Sequence, residues 1–95
     1  MPQVEIAETV EARRAVLFQI RPDSARITIN GVDIGEADDW DGFGAGKPYA
    51  IPYAGDYYAE IQAPGYRTIW VKIVISPEAR DVTARIKTRM SKEKD

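Results

Sequence analysis

Residues 25–34 read "ARITINGVDI". Ala25, Ile27 and Ile29 alternate with Arg26 and Thr28, so one face of this segment is apolar and the other polar, the period of a half-buried strand. Asn30-Gly31 follows directly and is itself followed by "VDI". A two-residue hairpin loop of the primed types needs positive φ at its central positions, and Asn-Gly supplies both at low steric cost. The stretch predicts a tight hairpin of 25–29 against 32–34.

The same period extends outward in both directions. "AVLFQIR" (15–21) places Val16, Phe18 and Ile20 on one face. "YAIPY" (49–53) is a short strand that Pro52 confines to an edge or ends early, because proline cannot donate to a ladder. "YYAEIQA" (57–63) turns Tyr57, Ala59 and Ile61 inward and Tyr58, Glu60 and Gln62 outward. Pro64-Gly65 suits a type II turn. "RTIWVKIVI" (67–75) reads as the longest strand, with Ile69, Val71, Ile73 and Ile75 on one face and Trp70, Lys72 and Val74 on the other. After "SPEAR" (76–80), "DVTARIKT" (81–88) is expected to bury Val82, Ala84 and Ile86 and expose Thr83, Arg85 and Lys87. About seven short strands with turn-sized links predict an all-β, antiparallel β-sandwich. The ends are open. Residues 4–14 read as an extended arm or added edge strand, or as a short helix capped by Thr9, so 1–14 is set apart from the domain at 15–88. Residues 89–95 read as a disordered charged tail.

Composition limits the chemistry. The chain of 95 residues has no cysteine and no histidine. It therefore lacks the thiolate nucleophile, the side chain best suited to proton transfer near neutral pH, and the commonest transition-metal ligand. Serine occurs only at Ser24, Ser76 and Ser91, and the usual hydrolytic triads cannot be assembled around it. Lysine- or carboxylate-based chemistry has no visible constellation, and a non-enzyme without cofactor is expected. Net charge is −2, but residues 1–60 carry eleven acids against five bases and residues 61–95 four acids against eight bases. The bland interpretation is an acidic loop and arm with a basic tail. The sharper one is a basic face of Arg80, Arg85, Lys87, Arg89, Lys92 and Lys94 for an anionic partner. A pI near 5.1 argues against nucleic acid as the main ligand. No apolar run approaches membrane-span length, so no membrane insertion is expected. Nor does the acidic start resemble a signal peptide. The chain as written is expected to be soluble and not exported, or a domain cut from an exported protein.

Pro22-Asp23-Ser24-Ala25, Ile29-Asn30-Gly31, Gly46-Lys47-Pro48, Ala54-Gly55-Asp56-Tyr57 and Pro64-Gly65-Tyr66 occur in that order over residues 16–88. In order and spacing they resemble a PEGA domain. That family is named for a Pro-Glu-Gly-Ala run before a strand and an Asn-Gly or Asp-Gly hairpin. The resemblance implies a small bacterial β-sandwich, immunoglobulin-like or transthyretin-like, without catalysis, that contacts proteins or glycans. Two departures stand out. The glycine of the name motif is Ser24, where a left-handed backbone would be strained. About eleven extra residues, Gly35 to Ala45, separate the hairpin from Gly46-Lys47-Pro48.

That insertion, "GEADDWDGFGA", holds the site candidates. Trp40 and Phe43 are expected either to anchor a partner, with Asp38, Asp39, Asp41 and Tyr49 around them, or to fold back and plug the open end of the core. Tyr53, Tyr58 and Trp70 would extend a contact surface. Asp38, Asp39 and Asp41 offer oxygen ligands for calcium, though their spacing does not match an EF-hand. Gly42–Lys47 is too short for a Walker A loop, and Pro48 stands where Ser or Thr is needed. Trp70 is either covered by the N-terminal arm or exposed; in the second case Trp70 and Val74 would give a homodimer face. The expected function is protein–protein interaction or scaffolding through the 36–47 loop, with glycan or calcium binding there as the alternative.

Overall fold

The computed structural model describes residues 6–40 and 47–93. Within them lie eight strands: β1 Ile6–Ala12, β2 Ala15–Arg21, β3 Arg26–Ile29, β4 Val32–Glu36, β5 Tyr49–Ala50, β6 Gly55–Gln62, β7 Ile69–Ile75 and β8 Thr83–Arg89. A 3-10 turn, Ala37–Trp40, follows β4. The strands form two sheets. One has five strands in the order β1-β7-β6-β3-β4, and the other has three in the order β5-β2-β8. Their inner faces share one core. Val16, Phe18, Ile20 and Ile86 from the smaller sheet meet Ile27, Ile61, Val71 and Ile73 from the larger, all at zero exposure.

The all-β expectation holds, but seven antiparallel strands does not. There are eight strands, and each sheet is mixed: β1 runs parallel to β7 and β2 parallel to β8. The cause is the Arg13-Arg14 link. Two residues between strands suggest a hairpin, yet neither arginine suits the positive φ that a two-residue hairpin loop demands. The chain crosses from one sheet to the other instead. Arg13 N–H and Arg14 N–H donate to the carbonyls of Asp81 (2.9 Å) and Val82 (3.0 Å). The β7–β8 link crosses at the same place. Two crossings made side by side in the same direction leave both strand pairs parallel. Ile6–Ala12 is thus a strand rather than a helix, with Val10 and Ala12 turned to the core.

Local chemistry explains the antiparallel part. Asn30 and Gly31 have φ of 47° and 83°, and Ile29 pairs with Val32 across the turn. The Asn30 side chain also holds the neighbouring strand, its Oδ1 accepting from Tyr58 N–H at 2.8 Å. At Pro64-Gly65, Gly65 takes φ of 82° and Tyr66 N–H donates to Ala63 O at 3.1 Å, closing the turn as expected. Ser24 is not among the positive-φ residues, so this departure from the family pattern carries no left-handed strain.

Three further expectations shift. The longest strand is β6, with eight residues, not β7 with seven. Val82 is 47% exposed because it lies in the crossing before the alternation of β8 begins, its carbonyl accepting from Arg14 N–H and Ala15 N–H. The basic end is no free tail up to Glu93. Met90 is buried, and Arg67 N–H and Glu93 N–H donate to Ser91 O and Gly65 O, each at 2.9 Å.

Candidate contact surface beside the bulged hairpin

The β3–β4 pairing slips between Ile27 and Thr28: Ile27 faces Gly35 while Thr28 faces Asp33, which leaves Ile34 as an extra residue. Such a bulge bends the strand and re-aims its side chains and carbonyls. Gly35 carries the bend at φ of 107°. Asp33 Oδ1 accepts from Gly35 N–H at 2.8 Å, and Asp39 Oδ2 accepts from Glu36 N–H at 3.0 Å. The 3-10 turn that follows is latched to the turn after β2. Ala37 N–H donates to Ala25 O (2.7 Å) and Asp38 N–H to Asp23 O (2.8 Å), and Ala37 is fully buried.

This bulge positions Trp40. The indole N–H donates to the carbonyl of Ile34 at 3.0 Å. Its ring meets Tyr49 edge to face at a centroid separation of 5.1 Å, an arrangement favoured by the ring quadrupoles. Lys47 Nζ lies 5.4 Å from the ring centroid, within cation–π range. Trp40 and Tyr49 are half-buried and packed against the core. Lys47 N–H donates back to Trp40 O at 3.0 Å, which closes the base of the loop. Of the sequence candidates, the structure brings Trp40 and Tyr49 together as a plug. Asp38 and Asp39 are exposed on the 3-10 turn, and the Asp39 carboxylate accepts from Glu36 N–H. Asp41 and Phe43 lie outside the described residues, and with Asp41 goes the last of the three calcium-candidate acids. Among the described residues no three acids are grouped to hold a metal.

A groove that sequence reasoning touched only through Tyr49 and Tyr53 lies on the other side of Tyr49. It has a volume of about 280 Å³ and runs between the β3–β4 turn and the chain after β5, lined by Ile29, Val32, Tyr49, Pro52, Tyr53 and Tyr57 among others. Val32 is 63% exposed and Tyr53 76% exposed on its rims. Tyr57 Oη–H donates to Tyr53 O at 2.7 Å and fixes the floor to the rim. The sequence signal was available in Val32, an apolar side chain beside a turn that asks for none. Tyr58 and Trp70, expected to extend a surface with Tyr49, do not line this groove. Trp70 is half-buried, paired with Ile6 of β1. No helix among the described residues is long and apolar enough to cross a membrane. No protein-family model matches the chain, and no curated protein matches it.

Proposed function

We propose that this chain is a non-catalytic β-sandwich module, PEGA-like and of the immunoglobulin-like or transthyretin-like kind, that mediates protein–protein interaction. The contact surface is the aromatic groove together with the 36–47 loop, whose Trp40 packs on Tyr49. One observation carries the reading: Val32 and Tyr53 stay 63% and 76% exposed on either rim of an apolar groove in a small chain. Exposed aliphatic and aromatic groups around a depression are the usual makings of an interface anchor. The occupant is an apolar segment of a partner, held by ring contact and by water exclusion on a rigid frame. The PEGA likeness is supported by the order of motifs and by the Asn30-Gly31 turn.

The test compares wild type with a Val32→Asp/Tyr53→Ser variant in cross-linking and pull-down from the native source. A partner held by wild type and lost by the variant, at equal melting temperature, supports the proposal; equal capture by both refutes it. Glycan binding is the second reading, favoured by the exposed Tyr53 ring, on which a sugar face would stack. A glycan-array signal lost in Tyr53→Ser would establish it in place of a protein partner.

A further inference from the structure

On a different part of the surface, β2 and β8 lie side by side with Leu17 opposite Arg85, Gln19 opposite Lys87 and Arg21 opposite Arg89. The alternate residues Phe18, Ile20, Ala84 and Ile86 are buried in the core, so Gln19, Arg21, Arg85, Lys87 and Arg89 project from the outer face. Together with Thr88 these five line one hollow of about 610 Å³. The two strands supply four cations and contain no acidic residue, in a chain whose net charge is −2. Between described residues, the ion pairs Arg26–Asp33 and Lys72–Asp56 lie on the other sheet. Arg21 Nη1 donates to Ile20 O at 3.2 Å, which steadies one guanidinium on the face.

We infer that this face binds an extended acidic polypeptide segment, laid along β8 with carboxylates at alternate residues. Three features select that occupant. The cations of β8 recur at every second residue, a repeat of roughly 6.6 Å, which is the repeat of side chains on one face of an extended strand. β8 is the outer strand of its sheet, with β1 of the other sheet alongside it, so a segment beside it can add main-chain hydrogen bonds to charge pairing, the mode of strand addition. Among the described residues, the face itself has no aromatic ring. Single-stranded nucleic acid needs stacking platforms along its path, and here the first ring is Trp70, in the next hollow beyond Arg89, with Arg67. The same cations disfavour an apolar strand along this outer strand; they admit one of opposite charge. This surface shares no lining residue with the aromatic groove, and the inference is independent of the proposal above.

The experiment titrates the full chain with two synthetic peptides of identical composition, one alternating glutamate with threonine and one with its glutamates contiguous. Binding is followed by fluorescence anisotropy and by amide hydrogen exchange. The alternating peptide is expected to bind roughly tenfold tighter, to weaken steeply as salt is added, and to protect amides of β8. Arg85→Glu/Lys87→Glu is expected to abolish binding, and Arg85→Gln/Lys87→Gln to weaken it, both with the wild-type melting temperature. Equal affinity for the two isomers overturns the inference. So does unchanged exchange in β8, or absence of binding at low salt. Equal or tighter binding of oligothymidylate or of anionic vesicles refutes the polypeptide assignment. Self-association that the Arg85→Glu/Lys87→Glu variant abolishes, without peptide binding, would assign the face to a second copy and likewise refute it.

Discussion

Replacing Gly35 by alanine tests how the candidate loop is held. Gly35 sits at φ of 107°, and a Cβ there would stand 2.6 Å from Asp39 Oδ2 and 3.6 Å from its Cγ. The backbone conformation alone costs a non-glycine residue about 1–2 kcal/mol. The carboxylate is on a flexible arm and can swing away, so the clash is relieved at the expense of the Glu36 N–H to Asp39 Oδ2 bond at 3.0 Å. Losing that bond costs about 1 kcal/mol. Gly35→Ala should therefore destabilise by about 2–3 kcal/mol, which for a domain of this size lowers Tm by roughly 10–20 °C. Asp39→Ala alone should cost about 1 kcal/mol. In the double variant the two losses overlap, because alanine at 35 no longer displaces a carboxylate. The total should fall short of additivity by about 1 kcal/mol. Urea unfolding followed by tryptophan fluorescence measures all three, with the m-value checking that the transition stays two-state. A Gly35→Ala loss below about 0.5 kcal/mol would refute the strain argument. Strict additivity with Asp39→Ala would refute the steric one.

Asn30→Ala should cost about 1–2 kcal/mol, since Asn30 holds φ of 47° and accepts from Tyr58 N–H; Asn30→Gly keeps the turn geometry and should lose less, both read by urea melts. Trp40→Phe should cost about 1 kcal/mol by leaving the Ile34 carbonyl without its indole donor, and the Trp40→Ala loss should be about 3 kcal/mol. Ile86→Ala opens the shared core at a fully buried position and should cost about 2–5 kcal/mol, measured by calorimetry. Val32→Asp and Tyr53→Ser should each leave stability within about 0.5 kcal/mol of wild type.

Much of the fold was legible where a residue's chemistry is local. Asn30-Gly31 and Pro64-Gly65 declare their turns because positive φ is a property of the residue itself, and the inward faces of β2, β3, β6 and β7 follow from alternation alone. What failed depended on partners distant in sequence. Arg13-Arg14 looks like any short link, and only its bonds to Asp81 and Val82 make it a crossing between sheets. Nothing near Val82 says that the strand begins after it. Met90 sits in a run of charges that reads as solvent-exposed, yet its N–H donates to Arg21 O at 2.8 Å and its side chain is buried. In the candidate loop, Trp40 and Tyr49 were singled out, but whether they face water or core turns on the bulge at Ile34. A one-residue slip of register has no signature in "VDIGE" beyond the glycine that permits it.

The placement of Trp40 bears on where a partner would touch. Its ring is held from three sides: by the Ile34 carbonyl, by Tyr49 and by Lys47. Removing it from those contacts to meet a partner would forfeit them, so it serves the frame first. Val32 and Tyr53 are in the opposite position. The hairpin turn needs Asn30 and Gly31, but it does not need valine after them, and Tyr53 follows a proline that has already ended β5. Neither side chain satisfies a demand of folding, and each leaves apolar surface in water, a state that association relieves. Residues that the fold requires and residues that it merely tolerates can thus be separated by one measurement. If Val32 and Tyr53 prove as costly to remove as Trp40, they belong to the frame, and the groove between them is a by-product of packing. If they cost nothing in stability while their loss abolishes association, the groove is the reason they are there.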